Sequence, residues 1–474
     1  MGRIETDYLV VGAGASGMAF VDALVAERDV DVVMVDRRHR PGGHWLDAYP
    51  FVRLHQPSAV YGVPSRKLGD DRIDETGPNA GFYERATGAA VCDYFVRILE
   101  EQLIPSHRVH FLGMHDYRGD DPDGHHLVSL ATGAETTVKV RRRLVDATHI
   151  GSEIPLRHAP AYPVASGAKV VPPHVLVELA DAPSCFTVVG AGKTAMDTCC
   201  WLLDQGVDPD RIRWIRARDP WVFDRAVVQP LDLVAAQMEM QARWVEAVAQ
   251  AADGNDFARR LENHGALMRI DPDVEPQVWR GATVSRLELA QLRTIERVER
   301  GRVAAVGPDR IVMETGVLSA VPDELHIDCT AAGLPDMAVV PVFQPGRLTI
   351  QHVSVGSVTL GAATLGAVES LEEDDAEKNR LSPALRYTGR SADLLDFAYR
   401  GLEGFWARSA RPDLRAWHDR CRLNPLAAAK ERRADPAVAA ARALFASSIG
   451  PALERRALVG QTAIPRSSNT SPSG

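Results

Sequence analysis

The chain has only six cysteines in 474 residues, and none stands in a C-x-x-C or C-x-x-x-x-C spacing. Cys92, Cys185, Cys199, Cys200, Cys329 and Cys421 therefore read as reduced, mostly buried thiols. Their placement excludes the redox-active pair of a flavin disulfide reductase, and no Cys/His spacing suits a metal. Long apolar runs are also missing: no stretch of about 18 apolar residues offers a membrane span. No charged-then-apolar leader precedes the strand-like "DYLVVGAG", so no secretory signal is expected and a cytoplasmic location is. A basic excess is absent as well. With 54 Lys+Arg against 63 Asp+Glu the formal charge is −9, which gives no electrostatic reason to expect nucleic acid or anionic lipid as a partner. The densest basic run, Arg141-Arg142-Arg143, is expected to form a solvated strand edge.

What is present points elsewhere. The length predicts two or three domains. Residues 7–38 hold a β-branched run, Gly12-x-Gly14-x-x-Gly17, an amphipathic stretch, a second apolar run and Asp36. Gly12 permits a tight turn, Gly14 lets backbone N–H groups approach a pyrophosphate, and Gly17 lets the helix lie close on the sheet. The helix N-terminus favours phosphate charge. Asp36 stands where a carboxylate can bind ribose hydroxyls.

Residues 184–220 repeat the layout with Gly190-x-Gly192-x-x-Ala195. The tip of its second strand carries Arg216 and Arg218 instead of an acid, which suits the 2′-phosphate of NADP better than the bare ribose of NAD. "GAGKT" lacks the first glycine of an NTPase phosphate loop, because Thr187 stands five residues before Gly192. Lys193 and Thr194 are instead expected to contact the dinucleotide. Two such units predict an α/β protein that pairs two Rossmann-like domains for hydride transfer from a nicotinamide to a flavin.

Strand-like segments end in Asp146-Ala147-Thr148 and in Asp328-Cys329-Thr330, and each is expected to close over one nucleotide. The expected organisation is 1–150 for the first part of the FAD domain and 151–330 for the NADPH domain, with a helical insertion at about 225–292. Residues 331–460 would close the FAD domain and add C-terminal helices, and 461–474 would form a disordered tail. Met238, Met240 and Trp244 stand at helical spacing and are expected to pack.

The first glycine turn, "GGHW" after the acid-tipped strand, "RLHQP", and the second glycine turn with its arginines together resemble the class B flavoprotein monooxygenases. The resemblance spans roughly residues 5–220 and the strand near 328–333. It implies FAD in the first unit, beside Asp36, Arg37, Gly43 and Trp45, and NADPH in the second. It also implies that NADPH reduces FAD, that O2 adds at flavin C4a, and that one oxygen passes to a small organic substrate. Gln56 and His55 are the candidate hydrogen-bonding groups near the reactive ring, and Arg53 the candidate electrostatic stabiliser of a peroxide anion. His44 is a weaker candidate. The expected partners are thus a small-molecule substrate and O2, with a homodimer as the candidate assembly.

One family fingerprint, F-x-G-x-x-x-H-x-x-x-F/Y before the second turn, is missing. The nearest residues, Gly167 and His174, are seven apart rather than four. Two alternatives therefore stay open: an FAD/NAD(P)H reductase or dehydrogenase without oxygen transfer, and a flavin-binding protein without turnover.

Overall fold

A computed structural model describes residues 2–455. The sequence expectation for the tail 461–474 lies outside those residues. The first sheet is built around Gly2–Val11, whose interior residues Tyr8, Leu9 and Val10 are fully buried. It pairs in parallel with Val32–Asp36 on one side and with Glu135–Asp146 on the other. Val109–Gly113 and Arg347–Thr349 extend the parallel set outward. The remaining strands are an antiparallel hairpin, His115–Asp121 with Gly124–Ser129, and the short Phe343–Gln344. Helix Ala15–Glu27 packs against helix Val358–Leu371. Both are apolar nearly all round, as befits helices buried between a sheet and further helices.

Glu135–Asp146 is interior in the strand order, but residues 139–143 pair with Gly2–Val11 alone and Arg141 and Arg142 are exposed, so the arginine run does lie on a solvated, open stretch of strand edge. Arg141 bridges Asp7 and Asp31, both at 2.9 Å. Arg143 pairs with Glu369 at 2.9 Å and Asp375 at 2.5 Å.

The second sheet is wholly parallel, in the order 298–300, 212–216, 186–189, 325–328, 169–171. Its central strand Phe186–Val189 feeds helix Lys193–Asp204. The stretch 225–292 begins with helices Val234–Gln250 and Gly254–Asn263, as expected, but does not stay helical. It closes with Leu267–Met268 and Val278–Val284, which flank Pro220–Asp224 in a three-stranded sheet, followed by helix Arg286–Leu292. Trp244 packs among Phe223, Phe257 and Trp279. The C-terminal helix Pro436–Glu454 is long and apolar enough to cross a membrane by length and composition alone; here it packs along Val234–Gln250.

Candidate functional site

The site begins at the two glycine turns, which share their construction. Gly12 takes φ +104°, and Gly190 takes φ +131°. Behind Gly12 lies the strand tip at 146–148: the Ala147 amide donates to the Val11 carbonyl at 2.9 Å. Behind Gly190 lies the equivalent tip, where the Cys329 amide donates to the Val189 carbonyl at 2.8 Å. A Cβ on Gly190 would stand 2.7 Å from the Cys329 oxygen. In both tips the threonine donates back to the aspartate, Thr148 Oγ1 to Asp146 and Thr330 Oγ1 to Asp328, each at 2.7 Å. The two Asp-x-Thr segments are thus one device used twice, closing a strand over each glycine turn. Gly17 fulfils its packing role directly, since a Cβ there would lie 2.0 Å from the Gly12 oxygen.

Both helix N-termini suit a phosphate. Gly14 and Gly192 are the N-cap residues, neither supplies a side-chain cap, and neither first turn carries an acid. Six other helices are capped by Thr87, Asp253, Ser285, Ser357, Asp374 and Asp435, while Val234–Gln250, Leu394–Ser409 and Pro412–Arg420 also lack a side-chain cap. What sets the two glycine turns apart is a glycine N-cap followed by a first turn without an acid, which leaves their amides open to an anion. A Cβ on Gly192 would touch nothing within 4 Å, so this turn is open to close approach. Gly192→Ala is therefore expected to fold normally, because its backbone is extended at φ −79°. Its cost should fall on the KM for NADPH, measured by steady-state oxidation of NADPH.

Asp36 is buried at its strand tip and accepts from the Ala13 amide at 2.7 Å and the Arg38 amide at 2.8 Å. These bonds fix the carboxylate beside the first turn while leaving it lone pairs for a ribose. The neighbouring Arg37 points outward and pairs with Asp116 at 3.5 Å.

At the second strand tip the two sequence-predicted arginines part company. Arg216 is buried, lies 4.6 Å over the Trp214 ring, and pairs with Asp219 at 3.5 Å. It is occupied as a packing residue and does not present itself at the tip. Arg218 is exposed and has no carboxylate partner among the described residues. Burial lowers its pKa, and so do the like charges of Arg302 and Arg280 nearby. Three guanidiniums without a carboxylate among them form a patch that calls for an anion. Sequence reading missed Arg302 and Arg280. Arg302 follows the strand Val298–Arg300, which pairs with Ile212–Arg216, and Arg280 lies on the strand Val278–Val284. No local pattern links them to Arg218.

The strap at 42–58 joins the two units. Gly42 takes φ +130° and Gly43 φ +58°; the Gly42 amide donates to the Ala13 carbonyl at 3.0 Å. Gly43 crosses so near the first turn that a Cβ on it would lie 2.8 Å from Gly14 Cα. Trp45 donates from Nε1 to the Tyr61 hydroxyl at 2.7 Å and packs on the core beneath. His44 is desolvated, which lowers its pKa to about 4. Asp47 is tied by Arg38 at 2.5 Å and Arg157 at 2.9 Å, and its carbonyl accepts from His174 Nε2 at 2.8 Å. His174 thus serves the strap, although its spacing from Gly167 breaks the family fingerprint.

The strap's next aromatics dock on the second unit. Tyr49 donates to Asp197 Oδ2 at 2.7 Å, and Phe51 stacks on Trp201 with centroids 5.0 Å apart. Lys193 does not extend toward solvent as a phosphate ligand would. Its ammonium turns inward to pair with Asp197 Oδ1 and lies close enough to His55 to act on its charge. Thr194 stands beside it, half-buried. His55 has its pKa lowered to about 4, first by burial and then by Lys193. It is therefore a neutral imidazole near pH 7, able to donate or accept but not to carry charge. Arg53 is exposed and donates to the Arg85 carbonyl at 3.1 Å; Gln56 reaches only the Val60 carbonyl at 3.5 Å.

Beneath the strap lies a buried ion cluster that sequence reading did not find. Glu288 accepts from Arg225 at 2.5 Å and from Arg85 at 3.2 Å. It also completes the capping box of helix Arg286–Leu292, its Oε2 taking the Ser285 amide at 2.8 Å. Arg85 donates from its other nitrogen to the Leu54 carbonyl at 3.2 Å, so the cluster holds the strap in register. Burial raises the Glu288 pKa, but Lys193, Arg225 and Arg85 outweigh it and bring the carboxyl down to about 2. No group of three or more metal-ligating side chains occurs among the described residues.

Comparison with known proteins fits this architecture. The family pattern described as "NAD(P)-binding Rossmann-like domain" matches residues 10–60, the first glycine turn and the strap. The uncharacterized protein Rv2000 of Mycobacterium tuberculosis is 45% identical over 426 residues, covering 90% of this chain and 78% of that protein. Mb2023 of Mycobacterium bovis matches to the same extent. Among solved structures, the polycyclic ketone monooxygenase of Thermothelomyces thermophila superposes with a TM-score of 0.53 at 13% identity, over 98% of this chain and 89% of its own. An oxidised steroid monooxygenase bound to NADP gives 0.52 at 15% identity, over 77% of this chain and 85% of its own. The chain belongs to the family of the mycobacterial protein Rv2000, and it carries the two-dinucleotide-domain fold of the flavoprotein monooxygenases.

Proposed function

We propose that this protein is an FAD- and NADPH-dependent monooxygenase acting on a small organic molecule. The observation that carries the reading is the pair of uncapped glycine turns joined by one strap. The strap lies on Gly14 at one end and docks on the Lys193–Asp204 helix at the other. With both cofactors bound, that arrangement would bring two dinucleotides toward one junction, which supports hydride transfer.

The residues present fit both cofactors. Gly12, Gly14, Gly17 and the first helix N-terminus would take the FAD pyrophosphate, and Asp36 the ribose. Gly190, Gly192 and the second N-terminus would take NADPH, with Arg218, Arg302 and Arg280 around its 2′-phosphate. The flavin supplies hydride acceptance and reaction with O2. The chain's own part is to exclude water with Trp45, Tyr49 and Phe51, and to hold neutral His55 at the junction as a hydrogen-bonding group. Burial, with Lys193 adding to it, keeps His55 uncharged, and Arg85 fixes the strap that carries it.

Arg218→Ala combined with Arg302→Ala is expected to raise the KM for NADPH by roughly 10- to 100-fold, the worth of one or two charge-assisted hydrogen bonds. The KM for NADH should hardly move. Equal effects on both coenzymes would show that the patch does not bind the 2′-phosphate. The first test of the whole reading is anaerobic: one FAD per chain, bleached by stoichiometric NADPH. A protein that purifies without flavin, and takes none up, would contradict it.

The reductase reading keeps one point in its favour, since the spacing of Gly167 and His174 departs from the fingerprint. His174 bonds the strap at the Asp47 carbonyl, so it still contacts the segment that joins the two units.

A further inference from the structure

Lys193 is the first residue of helix Lys193–Asp204, directly after the open turn at Gly192. The position is a poor one for a cation. The positive end of the helix dipole repels it, and no acid stands in the first turn to offset that. A side chain here leans back toward the helix N-terminus, over the turn proposed to take the NADPH diphosphate. The Lys193 ammonium is folded the other way, onto Asp197 Oδ1 one turn down the helix, with its side chain only 8% exposed.

One carboxylate holds it there while serving a second partner. Asp197 Oδ2 accepts from the Tyr49 hydroxyl of the strap at 2.7 Å. Glu288 also draws Lys193 by charge, but its oxygens are already taken by Arg225, Arg85 and the Ser285 amide. Among the described residues Asp197 is therefore the carboxylate paired with Lys193. The pair is built to give way. A cation four residues before its acid is the weaker order on a helix, and the flexible lysine stem can turn its ammonium elsewhere.

We infer that Asp197 is a positioning residue that holds Lys193 off the second glycine turn, and that a dinucleotide's diphosphate draws the ammonium away from it on binding. The inference rests on the coenzyme reading above. A diphosphate carries more charge than one carboxylate, and the helix end that repels Lys193 attracts phosphate. With both at the turn, the cation gains a partner where it was disfavoured. Breaking the Asp197 pair is subtracted from the binding, so Asp197 lowers coenzyme affinity. Asp197 keeps its bond from Tyr49 throughout, which leaves the strap docked.

The test is calorimetric titration of flavin-replete, full-length protein with NADP+ and with NAD+. Four proteins are compared: the wild type, Asp197→Asn, Lys193→Met and the double variant. Asparagine still accepts from Tyr49, so the first substitution removes the hold and spares the strap contact. Asp197→Asn should bind both dinucleotides at least about fivefold more tightly, within the worth of one charge-assisted hydrogen bond. The factor should be equal for the two, because both carry the diphosphate; replacing Arg218 and Arg302 should instead separate them. In the Lys193→Met background, adding Asp197→Asn should change nothing. A carboxylate with a merely structural role would leave binding unchanged or weaker when removed, and that result would overturn the inference. So would a gain that persists without Lys193. If Asp197→Asn does not accumulate, a crystal structure of the wild type with NADP+ decides. Lys193 Nζ bonded to a diphosphate oxygen supports the inference, and Nζ still on Asp197 overturns it. Binding of neither dinucleotide by any of the four proteins would sink the coenzyme reading itself, and this inference with it.

Discussion

Glu288→Ala is expected to destabilise the protein by about 3–5 kcal/mol, because it leaves buried guanidiniums without a counter-charge. Arg225 is fully buried and Arg85 nearly so, and Glu288 is the carboxylate that both reach. Some of their nitrogens already lack partners, namely Arg225 Nε and Nη1 and Arg85 Nε, so the cluster has no reserve. The thermal midpoint should fall by on the order of 10 °C, read by the loss of near-ultraviolet dichroism. Replacing Glu288, Arg85 and Arg225 together by Met should cost much less, since that removes the charges along with the carboxylate.

The same residue fixes a pH dependence. Its folded pKa of about 2 lies below the ordinary 4.5. A carboxylate depressed in the folded state binds more protons when unfolded. Its contribution is therefore complete above about pH 4.5 and is lost as the pH falls toward 2, to the extent of about 3 kcal/mol. Urea midpoints measured from pH 6 down to pH 3 should show this loss in the wild type and lack it in Glu288→Gln. An unchanged acid slope in that variant would remove Glu288 from the account. A consequence for the site follows from Arg85, which grips the Leu54 carbonyl. Glu288→Gln should slow flavin reduction as well, by loosening the strap at His55.

Gly43→Ala is the second large effect. The added methyl would stand 2.8 Å from Gly14 Cα, and the residue would have to keep φ +58°. Backbone blocks backbone here, so no side chain can yield. Strain of this kind costs roughly 2–4 kcal/mol. The strap would lift from the very turn proposed to take the FAD pyrophosphate. The expected result is flavin content well below one per chain and a lowered midpoint that added FAD partly restores. Gly192→Ala is the contrasting control, with free space around its Cβ position and ordinary backbone. Full flavin retention by Gly43→Ala would show that the strap's closeness to Gly14 is not needed to hold it.

Much of this arrangement is legible in the chain. The glycine turns carry local signatures: a buried β-branched strand, fixed glycine spacing, a helix without a polar cap, and Asp36 at the next strand tip. The Asp146-Ala147-Thr148 and Asp328-Cys329-Thr330 echo is also readable, because each follows an apolar run. The aromatic content of residues 42–58 marks the strap as a contact segment, but part of what it contacts is protein. Tyr49 and Phe51 meet Asp197 and Trp201, roughly 150 residues away in sequence.

What stays hidden depends on long-range placement. Lys193 stands where a loop lysine would meet phosphate, yet Asp197 one turn later draws it inward. Arg216 and Arg218 look alike in sequence, and only the fold buries one against Trp214 and Asp219. Arg302 and Arg280 reach the Arg218 patch through strands far along the chain. Glu288 reads as a helix-capping residue, which it is, and nothing local announces its second role as anion to Arg85 and Arg225. The strand Val278–Val284 falls within a stretch that otherwise reads as helical. Its pairing to Pro220–Asp224 gives it its state, a case of tertiary contacts overriding the local reading.

The central claim, oxygen transfer at a junction of two dinucleotides, is tested most directly by mixing NADPH-reduced protein with O2 in a stopped-flow spectrometer. The account predicts an absorbance band distinct from both reduced and oxidised flavin, persisting while NADP is bound and decaying faster when Arg218 and Arg302 are replaced. Immediate single-step return to oxidised flavin, with hydrogen peroxide released in full, would contradict it.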